Sequence, residues 1–253
     1  MSTNQTIYIG TSGWHHKEWL GPFYPGDMKE EEYLPYYSRR FNTAEIIKSF
    51  FQMPDREQFQ RWAERTPDEF RFSVKATRYI THDSRLMPQP SRVENFFKAI
   101  EPLGDKLGPV MFELPSDLEP DEELLDRFLK QLPSDAFRYV FQFREDGWFN
   151  PAVRQVLEAH NASPALIEFQ DEHTPRMVTA DFVYMRLHGP PADLNGKTMD
   201  QTLGGWASAI ATWHHEGKDV FCYFHEEGPT APQNAMRLAD HLNPTEREAM
   251  PDS

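Results

Sequence analysis

Residues 109–143 read PVMFELPSDLEPDEELLDRFLKQLPSDAFRYVFQF, and this stretch decides the fold. Pro109 to Leu114 is an apolar run with Pro at its first position, where a strand tolerates it. Asp121, Glu122 and Glu123 follow Pro120 and favour the positive start of a helix. Leu124, Leu125, Phe128, Leu129 and Leu132 then fall on one helical face. Arg138 to Phe143 returns to strand character. Strands apolar on both parities suit a parallel sheet covered on both sides, so the stretch reads strand, helix, parallel strand.

The same alternation extends outward in both directions. Ile7–Gly10, Glu45–Ile47 and Phe70–Lys75 are candidate strands upstream; Ala165–Phe169, Phe182–Leu187 and Asp219–Phe224 follow downstream, making eight. Between them, Ser91-Arg92-Val93-Glu94 reads as a capping box ahead of Phe96, Phe97 and Ile100. Asn150-Pro151 opens a helix with Val153, Val156 and Leu157 inward. Phe59, Trp62 and Ala63 form another stripe, as do Trp206, Ile210 and Trp213, and Ala235, Leu238, Ala239 and Leu242. The segment Gln170 to Ala180 is too short and too interrupted by Pro for a full crossover helix. Eight units in 253 residues match a (β/α)8 TIM barrel with one crossover near residues 170–180 short or missing. A doubly wound sheet is the alternative, but Gly10-Thr11-Ser12-Gly13 lacks the spacing of a dinucleotide fingerprint. No linker divides the chain. Residues 1–242 are expected to form one domain, and 243–253 a polar C-terminal tail.

Forty acidic residues against 26 basic ones leave a formal charge of −14, which opposes long-range attraction to nucleic acid and anionic lipid. Aromatic residues reach 13%, and large rings supply much of the burial this chain needs. No run approaches the roughly 20 apolar residues that span a bilayer. The polar start, Met1 to Thr6, does not look like a signal peptide. The single cysteine, Cys222, can form neither an internal disulfide nor a thiolate zinc site. A cytoplasmic protein is the expectation.

In a TIM barrel the active site forms at the C-terminal ends of the strands. That rule selects Thr11, Ser12 and Trp14 after the first strand, Glu45 on the second, Lys75 on the third and Glu113 on the fourth. Gln142 and Arg144 end the fifth, Glu168 the sixth, Arg186 and His188 the seventh, Tyr223 and His225 the eighth. Several have plainer readings. Glu45 and Lys75 can pair as a buried structural ion pair, since buried charges occur in pairs. Arg186 and His188 differ by two and share a strand face. Most Trp residues suit core packing, and His214-His215 suit a helix surface. Glu113, Glu168, His188 and His225 are metal-type ligands, but no local ligand spacing binds them into a motif, so neither metal nor cofactor is expected. Ser12 sits in no nucleophile elbow.

These motifs together resemble one family. Gly10-Thr11-Ser12-Gly13-Trp14 with Trp19-x-Gly21-Pro22-Phe23-Tyr24-Pro25 is similar to the opening of the YecE-like family, also called domain of unknown function 72. Tyr36 to Ile46, Arg71 to Lys75 with Ile80-Thr81-His82, Leu107 to Val110, Phe143-Arg144 with Trp148-Phe149, Tyr184-x-Arg186-Leu187-His188-Gly189 and Ala231-Pro232-x-Asn234-Ala235 follow in family order. The resemblance covers about residues 7–242 and implies a TIM barrel. It implies no settled activity; sugar-isomerase and endonuclease labels rest on analogy between barrels. Lys75, Arg144, Arg186, His188 and Asn234 keep the family pattern. Ile47 and Phe51 stand where the pattern has Asn and Tyr, Glu113 where it has Gln, Gln142 where it has Glu, and His225 in an Asn-rich position.

The reading that follows is an enzyme, or enzyme-like binder, of a small anionic or polyol ligand, sugar- or phosphate-like, at the barrel mouth. Lys75, Arg144 and Arg186 would hold negative charge. Glu45, Lys75 and His188 are the catalytic candidates, His188 because an imidazole titrates near neutrality. Thr11, Ser12, Trp14, Arg144, Arg186, Tyr223, His225 and Asn234 are the ligand-binding candidates. Metal-assisted nucleic-acid processing and a catalytically silent partner-binding barrel are the rivals. A basic rim with exposed aromatics would favour the former, and Ile47, Phe51 and Gln142 suggest the latter.

Overall fold

The structure is a computed structural model that describes residues 6–133, 137–169, 172–188, 196–225 and 228–243. Its strands are β1 (Ile7–Thr11), β2 (Thr43–Ile46), β3 (Arg71–Lys75), β4 (Leu107–Glu113), β5 (Tyr139–Gln142), β6 (Ser163–Phe169), β7 (Glu172–His173), β8 (Phe182–Leu187) and β9 (Asp219–Phe224). Helices are α1 (Tyr33–Tyr37), α2 (Arg56–Glu64), α3 (Pro90–Ile100), α4 (Glu122–Gln131), α5 (Pro151–Ala159), α6 (Gly196–His215) and α7 (Ala231–Leu242). All strands but β7 run parallel, in the order β1-β9-β8-β6-β5-β4-β3-β2. A bridge between Ser12 and Glu45 brings the two ends together, closing a (β/α)8 barrel. The expected gap in the helical ring is real. After β6 the chain makes the short antiparallel β7, and residues 172–181 hold no helix.

Local chemistry sets the helix starts. The side chains of Asp55, Asp121 and Asn150 accept from the amides three residues on, Gln58, Leu124 and Val153, satisfying donors that a first turn leaves free. The expected capping box at Ser91 is corrected. Helix α3 begins one residue earlier at Pro90, whose fixed φ suits a first helical position and whose missing N–H costs nothing there.

Two cores result from strand alternation. Ile9, Phe72, Phe112, Phe141, Leu166 and Val183 point outward and pack under the helices. The opposite parity fills the barrel with Met111, Val140, Ala165, Ile167, Phe182, Tyr184, Phe221 and Tyr223. At the base, Tyr8 stacks on Phe221 at 4.5 Å, and Arg138 covers Phe182 and Phe221 while paired with Asp219 at 2.5 Å. Higher up come hydroxyls: Tyr223 meets Thr43 Oγ1 at 2.7 Å, and Ser73 donates to the Pro109 carbonyl. Charges sit at the top. Above the Arg138–Asp219 pair at the base, the barrel interior thus grades from apolar to ionic along its axis.

The seam between β1 and β2 differs from the other seven. Below the Ser12–Glu45 bridge, side chains stand in for the ladder. Asn42 accepts from the Ile9 amide and donates to the Ile7 carbonyl, at 3.0 and 2.8 Å. The Tyr37 hydroxyl accepts from the Thr11 amide at 2.8 Å and donates to the Thr43 carbonyl at 3.0 Å. Gly10 makes room for this: a Cβ there would lie 2.1 Å from the Thr43 carbonyl oxygen and 2.9 Å from the Tyr37 hydroxyl.

Candidate functional site

Interior parity carries Ser12, Glu45, Lys75, Glu113, Gln142, Arg186 and His225 to the C-terminal end of the barrel, where they form one connected network. Glu45 is wholly buried. Its carboxylate accepts from the Ser12 hydroxyl, from Tyr184 at 2.6 Å and from Arg186 Nη2 at 3.2 Å. Arg186, 1% exposed, also donates through Nη1 to Gln142 at 2.7 Å and through Nη2 to His225 Nδ1 at 3.0 Å. Because His225 Nδ1 accepts, the ring proton is on Nε2 and the imidazole is neutral.

Glu113 is the second hub. Lys75 Nζ donates to its Oε2 at 3.0 Å, Arg144 at 3.3 Å, and Arg186 Nη1 lies 4.0 Å away. Among the described residues, Lys75, Arg144 and Arg186 thus gather around Glu45 and Glu113. The alternative of a buried Glu45–Lys75 pair is not what forms: Glu45 pairs with Arg186, and Lys75 with Glu113. The alternation of β8 explains the first, since Tyr184, Arg186 and His188 share a face across the barrel from β2. The register explains the second, since Lys75 is aligned with Met111, two residues before Glu113 on the adjoining strand. Lys75 Nζ also lies 4.0 Å from the centre of the Phe50 ring, itself edge-on to His82.

The electrostatics follow from this crowding. Burial lowers the Lys75 pKa below 10.5, with Glu113 opposing and Arg186 assisting. For Glu113, burial pushes upward, but Lys75, Arg144 and Arg186 outweigh it and the net shift is downward. Burial, with Arg186 and His188 beside it, pushes His225 from 6.5 down to about 2. Tyr184 is raised well above 10 by burial and by the Glu45 charge, so it stays a donor.

Not every expected ligand-binding residue is at the mouth. Thr11 has the parity of Ile9 and points outward, bonding Tyr37 at 3.0 Å. Trp14 is buried in the layer between strands and helices, 5.2 Å from Trp62 and 5.7 Å from Phe72. Tyr223 is enclosed one step below the charged layer, and Asn234 is buried in the first turn of α7. Packing therefore encloses Thr11, Trp14 and Tyr223. Glu45, expected as an acid or base, has both oxygens committed to buried donors. Arg144 is exposed, and His188 and His225 are partly so, with ring centres 5.4 Å apart. Glu168 has the outward parity of Leu166 and does not join the interior set. Among the described residues no three His, Cys, Asp or Glu side chains gather as metal ligands. A cavity of about 720 Å³ lies at the barrel base, between Arg39, Asn42, Phe70 and Leu242, and includes none of the mouth residues.

Sequence reasoning passed over Tyr184 as a partner for Glu45 and Phe50 as a cover for Lys75. The spacing Tyr184-x-Arg186-x-His188 was the available signal for the former. Glu113 and Gln142 are register neighbours on β4 and β5, and both lie against Arg186.

Fold and site define a class: a (β/α)8 barrel with an ionic network at the mouth. The model of the family described as "Protein of unknown function DUF72" matches residues 8–253, and the chain belongs to that family. The UPF0759 protein YecE of Escherichia coli K12 is 33% identical over 265 residues, covering 94% of this chain and 93% of that protein. The UPF0759 protein YunF of Bacillus subtilis 168 is 26% identical over 271 residues, covering 94% and 95%. Among solved structures, a DUF72 protein of Thermotoga maritima superposes with a TM-score of 0.80 at 22% identity, over 94% of this chain and all of that one. A DUF72 protein of Enterococcus faecalis V583 gives 0.74 at 17% identity, over 94% and 98%. No described helix is long and apolar enough to cross a membrane.

Proposed function

We propose that the mouth binds a small anion, or the anionic group of a sugar- or phosphate-like molecule, and that the protein acts on it as an enzyme or enzyme-like binder. One observation carries this reading: Lys75, Arg144 and Arg186 converge on Glu113 in a protein of charge −14. Fixed cations gathered at one end of a barrel suit a ligand's negative charge. The buried Gln142 Nε2 has no acceptor, which adds an uncharged donor among those cations. In this reading Glu45 positions Arg186, His225 holds its far edge, and Arg144 is the cation a ligand meets first. His188 and the desolvated Lys75 are the groups left to move a proton. Asn234 and Ser12 support the walls. A cytoplasmic setting fits a chain with a single, buried cysteine. Of the expected tail, residues 243–253, all but Asn243 lie outside the described residues.

The test is a melting series in phosphate, sulfate and ribose 5-phosphate on wild type and Arg144→Ala. A ligand at a hundredfold excess over Kd adds about 2.7 kcal/mol. Wild type should melt higher with at least one anion. Arg144→Ala, which leaves no fully buried charge unpaired, should fold normally and shift less. No anion effect in the wild type overturns the reading and leaves the silent barrel ahead.

A further inference from the structure

The loops after β2 and β3 build a surface that anion binding alone does not use. Phe51 is 76% exposed and Tyr79 57%, the two most exposed aromatic side chains among the described residues. The loop that presents Tyr79 is constructed, not slack. Its backbone makes a wide turn in which the Ser84 amide donates to the Tyr79 carbonyl, five residues back, at 3.1 Å. Turns of this kind collect at functional sites. Arg85 and Leu86 follow with φ of 48° and 59°, two consecutive non-glycine residues in the left-handed region. They are held there because Leu86 is wholly buried and Arg85 grips Asp117 through its carboxylate at 2.9 Å and its carbonyl at 2.8 Å. Strain retained so firmly points to a use for the loop.

Beside Tyr79 runs a groove of about 390 Å³ between Met53, Thr77, Tyr79, Arg92, Asn95 and Phe96. That size falls within the range of small-molecule sites. Its walls are mostly apolar, while Asn95 offers both a donor and an acceptor at the edge. Thr77 is two residues past Lys75, the last residue of β3, so the groove opens on the loop that leaves the cation cluster. We propose that the mouth ligand carries a flat heteroaromatic ring next to its anionic group, with the ring against Tyr79 and the anion at Lys75 and Arg144. A nucleoside monophosphate is the simplest molecule of this class. The proposal rests on the anion-binding reading above and narrows it. The overall charge of −14 argues for a single nucleotide over a polymer, whose many phosphates would meet net repulsion.

The experiment is titration calorimetry of the full chain with inorganic phosphate, ribose 5-phosphate, adenosine 5′-monophosphate and a short single-stranded oligonucleotide. Wild type, Tyr79→Ala and Phe51→Ala are compared. Stacking of one base predicts that the mononucleotide binds about tenfold more tightly than ribose 5-phosphate. Tyr79→Ala should erase that margin while leaving ribose 5-phosphate binding in place. Equal binding of the two by wild type overturns the ring site and spares the anion site. No binding of any of the small anions overturns both. A margin that survives in both variants places the ring elsewhere and also overturns the proposal, as does an oligonucleotide that binds more tightly than the mononucleotide.

Discussion

Acidification should destabilise this protein through His225, by an amount the geometry fixes. Its Nδ1 accepts from Arg186, so a second ring proton would cost that bond and place a cation beside a buried guanidinium. The folded pKa lies far below the unfolded value of 6.5. Between the two, the unfolded chain binds a proton that the native one refuses, so stability falls as pH falls through 6.5. The slope approaches 1.36 kcal/mol per pH unit, and the loss at pH 5 relative to pH 8 is about 2 kcal/mol. His15 and His82 are also lowered by burial and act in the same direction. The contribution of His225 is therefore the difference between wild type and His225→Gln, which keeps an acceptor for Arg186 without the titration. Denaturant curves followed by tryptophan fluorescence at pH 5, 6, 7 and 8 measure it. The variant should lose about 2 kcal/mol less than wild type between pH 8 and pH 5. Parallel pH dependence of the two would show that native His225 takes up a proton, and would refute the placement of Arg186 against Nδ1.

Three further outcomes are expected. Gly10→Ala drives a Cβ into backbone at the β1–β2 seam and should cost about 2–4 kcal/mol, read as a fall in melting temperature; an unchanged value would mean the seam can open to admit a methyl group. Tyr37→Phe strands the Thr11 amide and the Thr43 carbonyl, about 1–3 kcal/mol for each group left unsatisfied, measurable by urea denaturation; a neutral result would show that water fills in. Glu113→Gln leaves Lys75 without its main partner and should cost about 3 kcal/mol at neutral pH. Native Lys75 would then lose its proton well below the unfolded 10.5, so the variant should regain stability as pH rises toward 10.5; a deficit constant from pH 7 to 10 would argue against this pairing.

Strands with strong β-formers were legible almost to the residue: Phe182–Leu187 and Asp219–Phe224 lie where their patterns put them. Thr43 and Ala44 went unread in β2, because Ala is a weak strand former, one Thr is too short a signal, and their burial comes from tertiary contacts. The family resemblance implied the barrel independently, and the barrel rule drew attention to Glu45, Lys75, Arg144, Arg186 and His188 from strand ends alone. What the sequence did not disclose was pairing. Which carboxylate meets which cation depends on register and on the interior parity of β2, β3, β4 and β8. Thr11 and Trp14 show the same limit: one residue of alternation sends a side chain out of the barrel or into it.

The β1–β2 seam bears on how this chain can be made. Strand β1 is the first strand to leave the ribosome, yet its complete main-chain ladder is with β9, the last. Toward β2, its nearest neighbour in time, it is offered only the Asn42 and Tyr37 side chains and one bridge. A nascent chain therefore carries β1 without a ladder partner through more than 200 residues of synthesis. A chain that stops short of residue 219 lacks that partner and exposes an open strand edge, the kind of surface that chaperones cover and aggregates extend.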